Sequence, residues 1–488
     1  MSLSAIQGSA RLLRRVVRGE GWRGTTARLL DRLAARRRRT SFPSVAWAQL
    51  PDGDLPTEIA SSLIATPLRV LNVLPTEPRP DLGGVQTQLA QRLLAERQHR
   101  SVSVLYPYGD GHRLEIDAQI DNESHRLAVI FPGDGRFETA LQRSVELCRA
   151  DILHVEQPFD LPWEPIQDVA GGCCRALVVS LHDFGLFCPR PHLMERPQMS
   201  FCGFCRDDLR CKACLSEDFE VGDAYQTIRR SAAASLLEAA DAVVFPSRYL
   251  RDTYRSLFPE LSSERQHVVP PPSVLVGSGE VAGRSSNAGR SSNAGRSSNR
   301  DPLRHVAFVG SFRPHKGSEV FLDLLERIEA DPTSLDGRRP YLHWHILGGG
   351  DAEKLARLRT RPNVSVHGYY RSGQLSARLR DLAIDLALVL SIWPETYCMT
   401  IDECLRSATP VLAFDHGAPA NRLRRLGGGL LVDPAAGGAG VLAMLEDLLA
   451  GRRELPRVAD AASLPDAQAA AKLTIDLYRS LVRTPELR

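Results

Sequence analysis

The stretch SIWPETYCMTIDECLRSATPVLAF, residues 391–414, decides the fold. It follows DLALVLS at 385–391, an apolar run with the length of a buried strand. A loop holding Glu395 comes next, then a helix-like segment with Glu403, then a second apolar run, PVLAF. Strand, loop, helix and strand in that order predict a parallel α/β sheet. Ligands of such sheets bind outside the carboxyl ends of the strands, which is where Glu395 falls. The two glutamates, with seven residues between them, read as an acid/base pair, as ligands for sugar hydroxyls, or as surface carboxylates. A carboxylate accepts two hydroxyls at once and so suits a vicinal diol. A helix opening near Met399 and Thr400 would add free amides for a pyrophosphate.

Working outward, the same alternation recurs on both sides. HVAFVGS (305–311), YLHWHILGGG (341–350), NVSVHGYY (363–370) and GLLVD (429–433) read as strands, with helices near 317–330, 351–359, 373–381 and 435–451. Upstream, LRVLNVL (68–74), SVSVLYP (101–107), LAVIF (127–131), DILHVEQ (151–157), ALVVSLHD (176–183), AVVFPS (242–247) and HVV (267–269) form a second series. Between the series, residues 283–300 repeat a six-residue unit, GRSSNA, GRSSNA, GRSSNR, too polar to build a core and suited to a linker. The expected organisation is a basic extension (1–66), a Rossmann-like domain (67–270), a linker (271–301), a second Rossmann-like domain (302–463) and a final helix (464–488).

Composition excludes several classes. With 43% hydrophobic and 24% charged residues the chain is of ordinary globular type. A net charge of +3 gives no overall signature of nucleic acid. Residues 11–39 nevertheless hold eleven arginines against Glu20 and Asp31, with apolar residues at helical spacing. Basic amphipathic helices of that kind can lie on an anionic membrane surface, or remain a solvated arm. No run reaches the ~18 apolar residues of a membrane span, and no secretory signal is visible. The expected location is cytoplasmic, peripheral on the inner membrane face. Ten cysteines in a reducing compartment favour metal binding over disulfides.

Three further motifs carry chemistry. In GSFRPHKGSEVFL, Gly310 and Gly317 flank Arg313 and Lys316 ahead of a helix. Arg forks onto phosphate oxygens and Lys supplies a point charge, so the loop suits a diphosphate; otherwise it is an exposed basic turn. DLGGV places Gly83 and Gly84 before a helix start, where backbone can approach a ligand. Cys202 and Cys205, then Cys211 and Cys214, form two C-x2-C pairs five residues apart, with Cys188 upstream. Paired C-x2-C thiols are usual zinc ligands, though this gap is short; free thiols and an iron–sulfur cluster are the alternatives.

Together these residues resemble the retaining GT-B glycosyltransferases of family 4. E395-TYCMTID-E403 is similar to the family's paired-glutamate signature, GSFRPHKG to its Arg/Lys loop, residues 81–105 to its first glycine loop and helix, and LHDFGLFCPR to its His-containing loop. Thr396 and Cys398 stand where the family has glycines, and Asn421 near a usual glutamate. The resemblance implies a GT-B fold, two facing Rossmann-like domains with parallel sheets and a C-terminal helix crossing back. It implies a retaining transferase using a nucleotide-sugar and a glycan or lipid-linked acceptor. Arg313 and Lys316 would hold the diphosphate, Glu395 the donor sugar, Glu403 the ribose, and His182 the sugar beside its anomeric carbon. Gly83, Gly84, Gly310 and the amides of Met399 and Thr400 would line the donor. No catalytic metal is implied. Some members carry a cysteine-rich insertion after the His-Asp loop, here 188–214, implying a structural zinc on four of the five thiols. The rival readings are an epimerase or phosphorylase on the same fold, or a zinc-stapled nucleic-acid-binding protein.

Overall fold

The computed structural model describes residues 46–48, 55–66, 68–79, 83–120, 123–131, 136–273, 303–331, 335, 342–371, 373–458 and 464–483. The basic segment 11–39 and the repeats at 283–300 lie outside the described residues. The chain divides into two compact units, Met1–Pro272 with Pro465–Arg488, and Ser273–Leu464.

Among the described residues the first unit is built on nine strands. They are β1 (Ala46–Ala48), β2 (Val70–Val73), β3 (Val102–Tyr108), β4 (Gly111–Ile120), β5 (Glu123–Phe131), β6 (Ile152–Glu156) and β7 (Ala176–Ser180), joined after the small hairpin β8 (Met194–Glu195) and β9 (Ser200–Phe201) by β10 (Ala242–Phe245) and β11 (Gln266–Val268). The large sheet runs β1-β5-β4-β3-β2-β6-β7-β10-β11, and every pairing is parallel except the two made by β4. An all-parallel sheet was expected, and β4 breaks it. Tyr108 pairs with Gly111, so a two-residue turn at Gly109–Asp110, with Gly109 at φ 64°, reverses the chain. That turn chemistry makes a hairpin, and adds a strand, β4, that the sequence reading did not include. The extension expected at 1–66 is also partly structured. β1 pairs with β5, and a helix at Thr57–Ala65 buries Leu63.

Residues 465–483 belong to this unit and contain the helix Ala467–Arg483. Its Ile475, Leu477 and Tyr478 pack with Leu68, Val70, Ile152 and Val178 of the sheet. The helix therefore covers one sheet face, which burial of an apolar stripe at helical spacing requires.

Among the described residues the second unit has six strands, all parallel. These are β12 (His305–Val309), β13 (His343–Leu347), β14 (Val364–Gly368), β15 (Leu386–Val389), β16 (Val411–Phe414) and β17 (Gly429–Val432), in the order β14-β13-β12-β15-β16-β17. Both faces are apolar. Val306, Phe308, Trp344 and Leu388 lie in one cluster, and Ala307, Val309, Ala387 and Ala413 in the other. That doubly covered pattern explains why these strands read as continuous apolar runs. The order reverses between β12 and β15, and the loops following these two strands carry Arg313, Lys316 and Glu395. Both units are Rossmann-like α/β layers.

Candidate donor site

In the second unit, Lys316 and Glu395 meet. Lys316 Nζ donates to Glu395 Oε2 at 2.6 Å, with side-chain exposures of 26% and 6%. The contact has a backbone cause. Gly317 sits at φ 85°, and a Cβ there would lie 1.9 Å from the Leu390 carbonyl oxygen. Only glycine lets the 310–317 loop press on the end of β15, and this brings Lys316 to the loop that continues from that strand. Glu395 is held from the other side by Ser391 Oγ, which donates to Oε1. Its backbone oxygen accepts from Ala418 N at 2.8 Å, and His416 Nε2 bonds the Ser391 carbonyl at 2.7 Å. Burial alone would raise the Glu395 carboxyl; the charge and hydrogen bond of Lys316, with Ser391 and Cys398, bring it below the ordinary value. Burial likewise depresses Lys316, but Glu395 outweighs it and the ammonium is held above its usual value. Both groups are charged at neutral pH, with the Lys316 ammonium 5.9 Å from the centre of the Trp393 ring.

The helix Met399–Arg406 starts immediately after this loop, with Cys398 at its N-cap in the left-handed region, φ 68°. That conformation explains why a glycine is usual there. Cys398 accepts the strain, and burial pushes its thiol up to about 12. Met399 and Thr400 occupy the first turn, as expected. Glu403, one turn on, is 5% exposed. Its Oε2 accepts from Leu375 N at 3.1 Å. Burial pushes its carboxyl up to about 7, against the opposing backbone donors of Leu375 and Gly373. The two glutamates are therefore not equivalent: Glu395 is an ion-paired carboxylate, and Glu403 is a carboxyl poised near neutrality. Gly310 and Arg313 lie in the same loop as Lys316, after β12.

Two residues of this region, Arg422 and Tyr369, were not found by sequence reasoning. Arg422, on the helix Gly417–Leu426, pairs with buried Asp402 and donates to the carbonyls of Tyr397 and Cys398, both at 3.1 Å. Its guanidinium lies 3.9 Å from the Tyr397 ring centre. One buried cation thus ties the Glu395 loop to the helix that carries Glu403. Tyr369, just after β14, is 64% exposed, and its ring lies where a Cβ on Gly349 would be, 2.1 Å from two ring carbons. The glycines of LGGG (347–350) thus leave room for an exposed aromatic ring. Asn421, standing near the family's glutamate, is exposed on the Gly417–Leu426 helix.

Gly83, Gly84 and His182 lie in the first unit. Gly83 (φ 150°) caps the helix Gly84–Glu96 and accepts Thr87 N at 2.9 Å. His182 follows β7, with both ring nitrogens bonded: Nδ1 to Gln88 Nε2 and Nε2 to Glu156 Oε2, each at 2.8 Å. A pocket of about 340 Å³ lies beside it, lined by Gln88, Arg92, Ser180, Phe245 and Pro270 among others. Ser180 and Phe245 end their strands or nearly so, the usual ligand side of such a sheet.

Cys188, Cys202, Cys205, Cys211 and Cys214 all line one cavity of about 350 Å³, and all are free thiols. Burial raises Cys188 and Cys211 to about 11, with neighbouring thiols adding to the rise. Arg230 Nη2 approaches Cys211 Sγ at 3.6 Å and the Arg196 amide donates to Cys214 Sγ at 3.3 Å. The donor chemistry fits a thiophilic cation, although among the described residues no three His, Cys, Asp or Glu side chains are arranged to hold one.

Comparison with known proteins agrees with this architecture. Residues 293–458 match the family model "Glycosyl transferases group 1". No curated protein sequence matches the chain. Among solved structures, sucrose-phosphate synthase from Thermosynechococcus elongatus superposes with a TM-score of 0.52 at 16% identity, covering 85% of this chain and 99% of that one. The catalytic domain of starch synthase IV from Arabidopsis thaliana, bound to ADP and acarbose, gives 0.51 at 12%, with 85% and 100% covered. A glycosyltransferase from Rickettsia africae gives 0.51 at 10%, with 86% and 100% covered. At such identities the likeness establishes the fold, which is that of the GT-B glycosyltransferases. The chain is an enzyme carrying a group 1 glycosyltransferase domain.

Proposed function

We propose that this enzyme is a retaining glycosyltransferase that moves a sugar from a nucleotide-sugar to a glycan or lipid-linked acceptor. The observation that carries the reading is the Lys316–Glu395 pair, set beside the start of the Met399–Arg406 helix at the carboxyl end of β15. Sugar transfer breaks the bond from the anomeric carbon to a phosphate oxygen and leaves the electron pair on the diphosphate. Arg313, Lys316 and the amides of Met399 and Thr400 are the groups to receive that charge. Preorganised donors of this kind are worth several kcal/mol in a transition state. Glu395, oriented by Lys316 and Ser391, accepts hydroxyls of the donor sugar, and Glu403 those of the ribose. The exposed Tyr369 ring offers a face on which a nucleobase can stack. In the retaining course the acceptor oxygen attacks from the face the diphosphate leaves, and a diphosphate oxygen takes its proton. No side chain is then needed as base, and no step is assigned to a metal.

Two peripheral assignments belong to the same reading. Four of the five clustered thiols hold a structural zinc, which would staple the 188–214 segment. The arginine-rich segment 11–39 rests on the anionic cytoplasmic face of a membrane; among the described residues no helix is long and apolar enough to cross one. Deleting residues 1–40 should abolish liposome binding, and unchanged binding would refute the membrane assignment.

The decisive experiment is a thermal-shift screen of nucleoside diphosphates, followed by turnover with the matching sugars. A nucleotide at a hundred times its Kd should stabilise by about 2.7 kcal/mol. Transfer or slow hydrolysis of the sugar is expected. Epimerisation without release would refute transfer, and equal nucleotide affinity in Lys316→Ala would refute the phosphate assignment.

A further inference from the structure

Four of the thirteen histidines stand together on three neighbouring strands of the second unit. His343 and His345 form an H-x-H on β13, and alternation along a strand turns both to one face. His305 on β12 lies directly opposite His343, and Ala307 opposite His345. On the other side His345 pairs with Ser365 of β14, and His367 follows two residues on. His345 is 5% exposed and the other three are half-buried. The small side chains of Ala307 and Ser365 leave the middle of the cluster to imidazoles. None of these rings belongs to the donor site. His305 and His343 open their strands, whereas Lys316 and Glu395 follow the carboxyl ends of theirs.

The spacing of the rings is that of ligands to one cation. Zinc binds a histidine nitrogen at about 2.0–2.1 Å, which puts the ring centre about 3.2 Å from the metal; a tetrahedral angle then separates two ring centres by about 5.2 Å. The centres of His343 and His345 are 4.7 Å apart, those of His305 and His345 5.2 Å, and those of His305 and His343 6.1 Å. His305 Nδ1 and His345 Nε2 already face each other at 3.0 Å. His343 is turned aside, its Nε2 hydrogen-bonded to Ser365 Oγ at 2.7 Å, and among the described residues no three such donors converge. Rotation of that one ring about its Cβ–Cγ bond, a broad torsion, is the rearrangement needed.

The surroundings favour a cation at this end of the cluster. Burial and the neighbouring rings push His345 down to about 3 and lower His343, so both keep lone pairs at neutral pH. The Asp385 carboxylate, accepting the amides of Arg304 and His305 at 2.9 Å each, supplies negative charge beside His305. His367 is lowered by burial and also by Arg378 on the helix Leu375–Asp381, which sets the fourth ring beside a positive charge. We propose that His305, His343 and His345 form a binding site for a divalent transition metal, with three nitrogen ligands and the fourth position left to water. The ion staples β12 to β13 at the amino end of the sheet, and the site stands independently of the glycosyltransferase reading. Three neutral nitrogens hold it less tightly than four thiolates would hold theirs, so it is a second, exchangeable equivalent.

The test is a titration of the full chain with Co²⁺ at pH 8. Wild type should develop the visible bands of a nitrogen-ligated site, one ion per chain, without the near-ultraviolet charge transfer that a thiolate adds. At a hundred times its Kd the ion should raise the Tm of the second unit by about 5–10 °C. His305→Asn and His343→Asn should each weaken this binding by at least about 100-fold, more than the loss of a partner behind a ligand costs. His367→Asn and Cys202→Ser should leave it unchanged, which separates the site from the fourth ring and from the clustered thiols. Absence of a thiolate-free spectrum in wild type overturns the proposal. So does an affinity unaltered in His305→Asn and His343→Asn, or one lost equally in His367→Asn. If one of the two ligand variants fails to fold, the other decides.

Discussion

Replacing Lys316 by methionine keeps most of the side-chain volume and removes the charge. Glu395, its side chain 6% exposed, would be left without a cation 2.6 Å away. Breaking a buried pair by removing one partner costs about 3–5 kcal/mol, because the remaining charge is stranded. Lys316 is itself 26% exposed, so water screens part of the interaction and about 2–3 kcal/mol is expected. For a unit of this size that is a fall of about 5–10 °C in the Tm of its transition. The sign of the pH dependence identifies the cause. In wild type the Glu395 carboxyl lies below its ordinary value, so its stabilisation is present at neutral pH and is lost only as pH falls through that depressed value. In Lys316→Met the same carboxyl is raised by burial, so the variant loses stability as pH rises from the acid side. The defect should therefore shrink between pH 7 and pH 4.5, and Glu395→Gln added to Lys316→Met should recover most of it. Calorimetry on the two single variants and the double variant measures the coupling. A Lys316→Met defect equal at both pH values, or no recovery in the double variant, would refute the ion-pair account of this loop.

Other expectations follow from the same site. Glu403, raised to about 7 by burial, contributes stability below its ordinary carboxyl value that is lost as pH rises through 7. Ligand-free stability should therefore fall by about 2–3 kcal/mol between pH 5 and pH 8, and Glu403→Gln should flatten that slope in denaturant titrations. Glu403→Ala should weaken nucleotide binding more than turnover of bound donor, and Glu395→Ala the reverse; steady-state and equilibrium measurements together separate them. Tyr369→Ala should cost nucleotide affinity about 1–3 kcal/mol if a base stacks on its ring, read by calorimetric titration, with Tyr369→Phe near wild type. Zinc should co-purify in about one equivalent, and a chelator should lower the Tm; metal content unchanged by Cys202→Ser with Cys211→Ser would refute the thiol site.

How much of this was legible follows from what each feature depends on. The second unit's strands were readable because both of their faces are buried, which makes the sequence itself a run of apolar residues from Val306 to Val309 or Leu386 to Val389. Lys316 and Glu395 were readable as ligand-side residues, since each follows such a strand. β4 was not, because its direction is set by two residues, Gly109 and Asp110, and its partner strands lie on either side of it in the sheet. Arg422 was one arginine among many on an amphipathic helix; only its burial against Asp402 and Tyr397 makes it a fastening for the Glu395 loop.

The sequence by itself determined the two α/β series, the polar repeat between them, the positions of the loops and the cation–carboxylate chemistry available there. Those properties are local, fixed by periodicity and residue type. Only the tertiary structure decided which carboxylate is charged. Glu395 and Glu403 are the same side chain on the same short stretch, but one packs against Lys316 and the other against the amide of Leu375. Burial beside a cation keeps the first ionised, and burial without one brings the second close to neutrality.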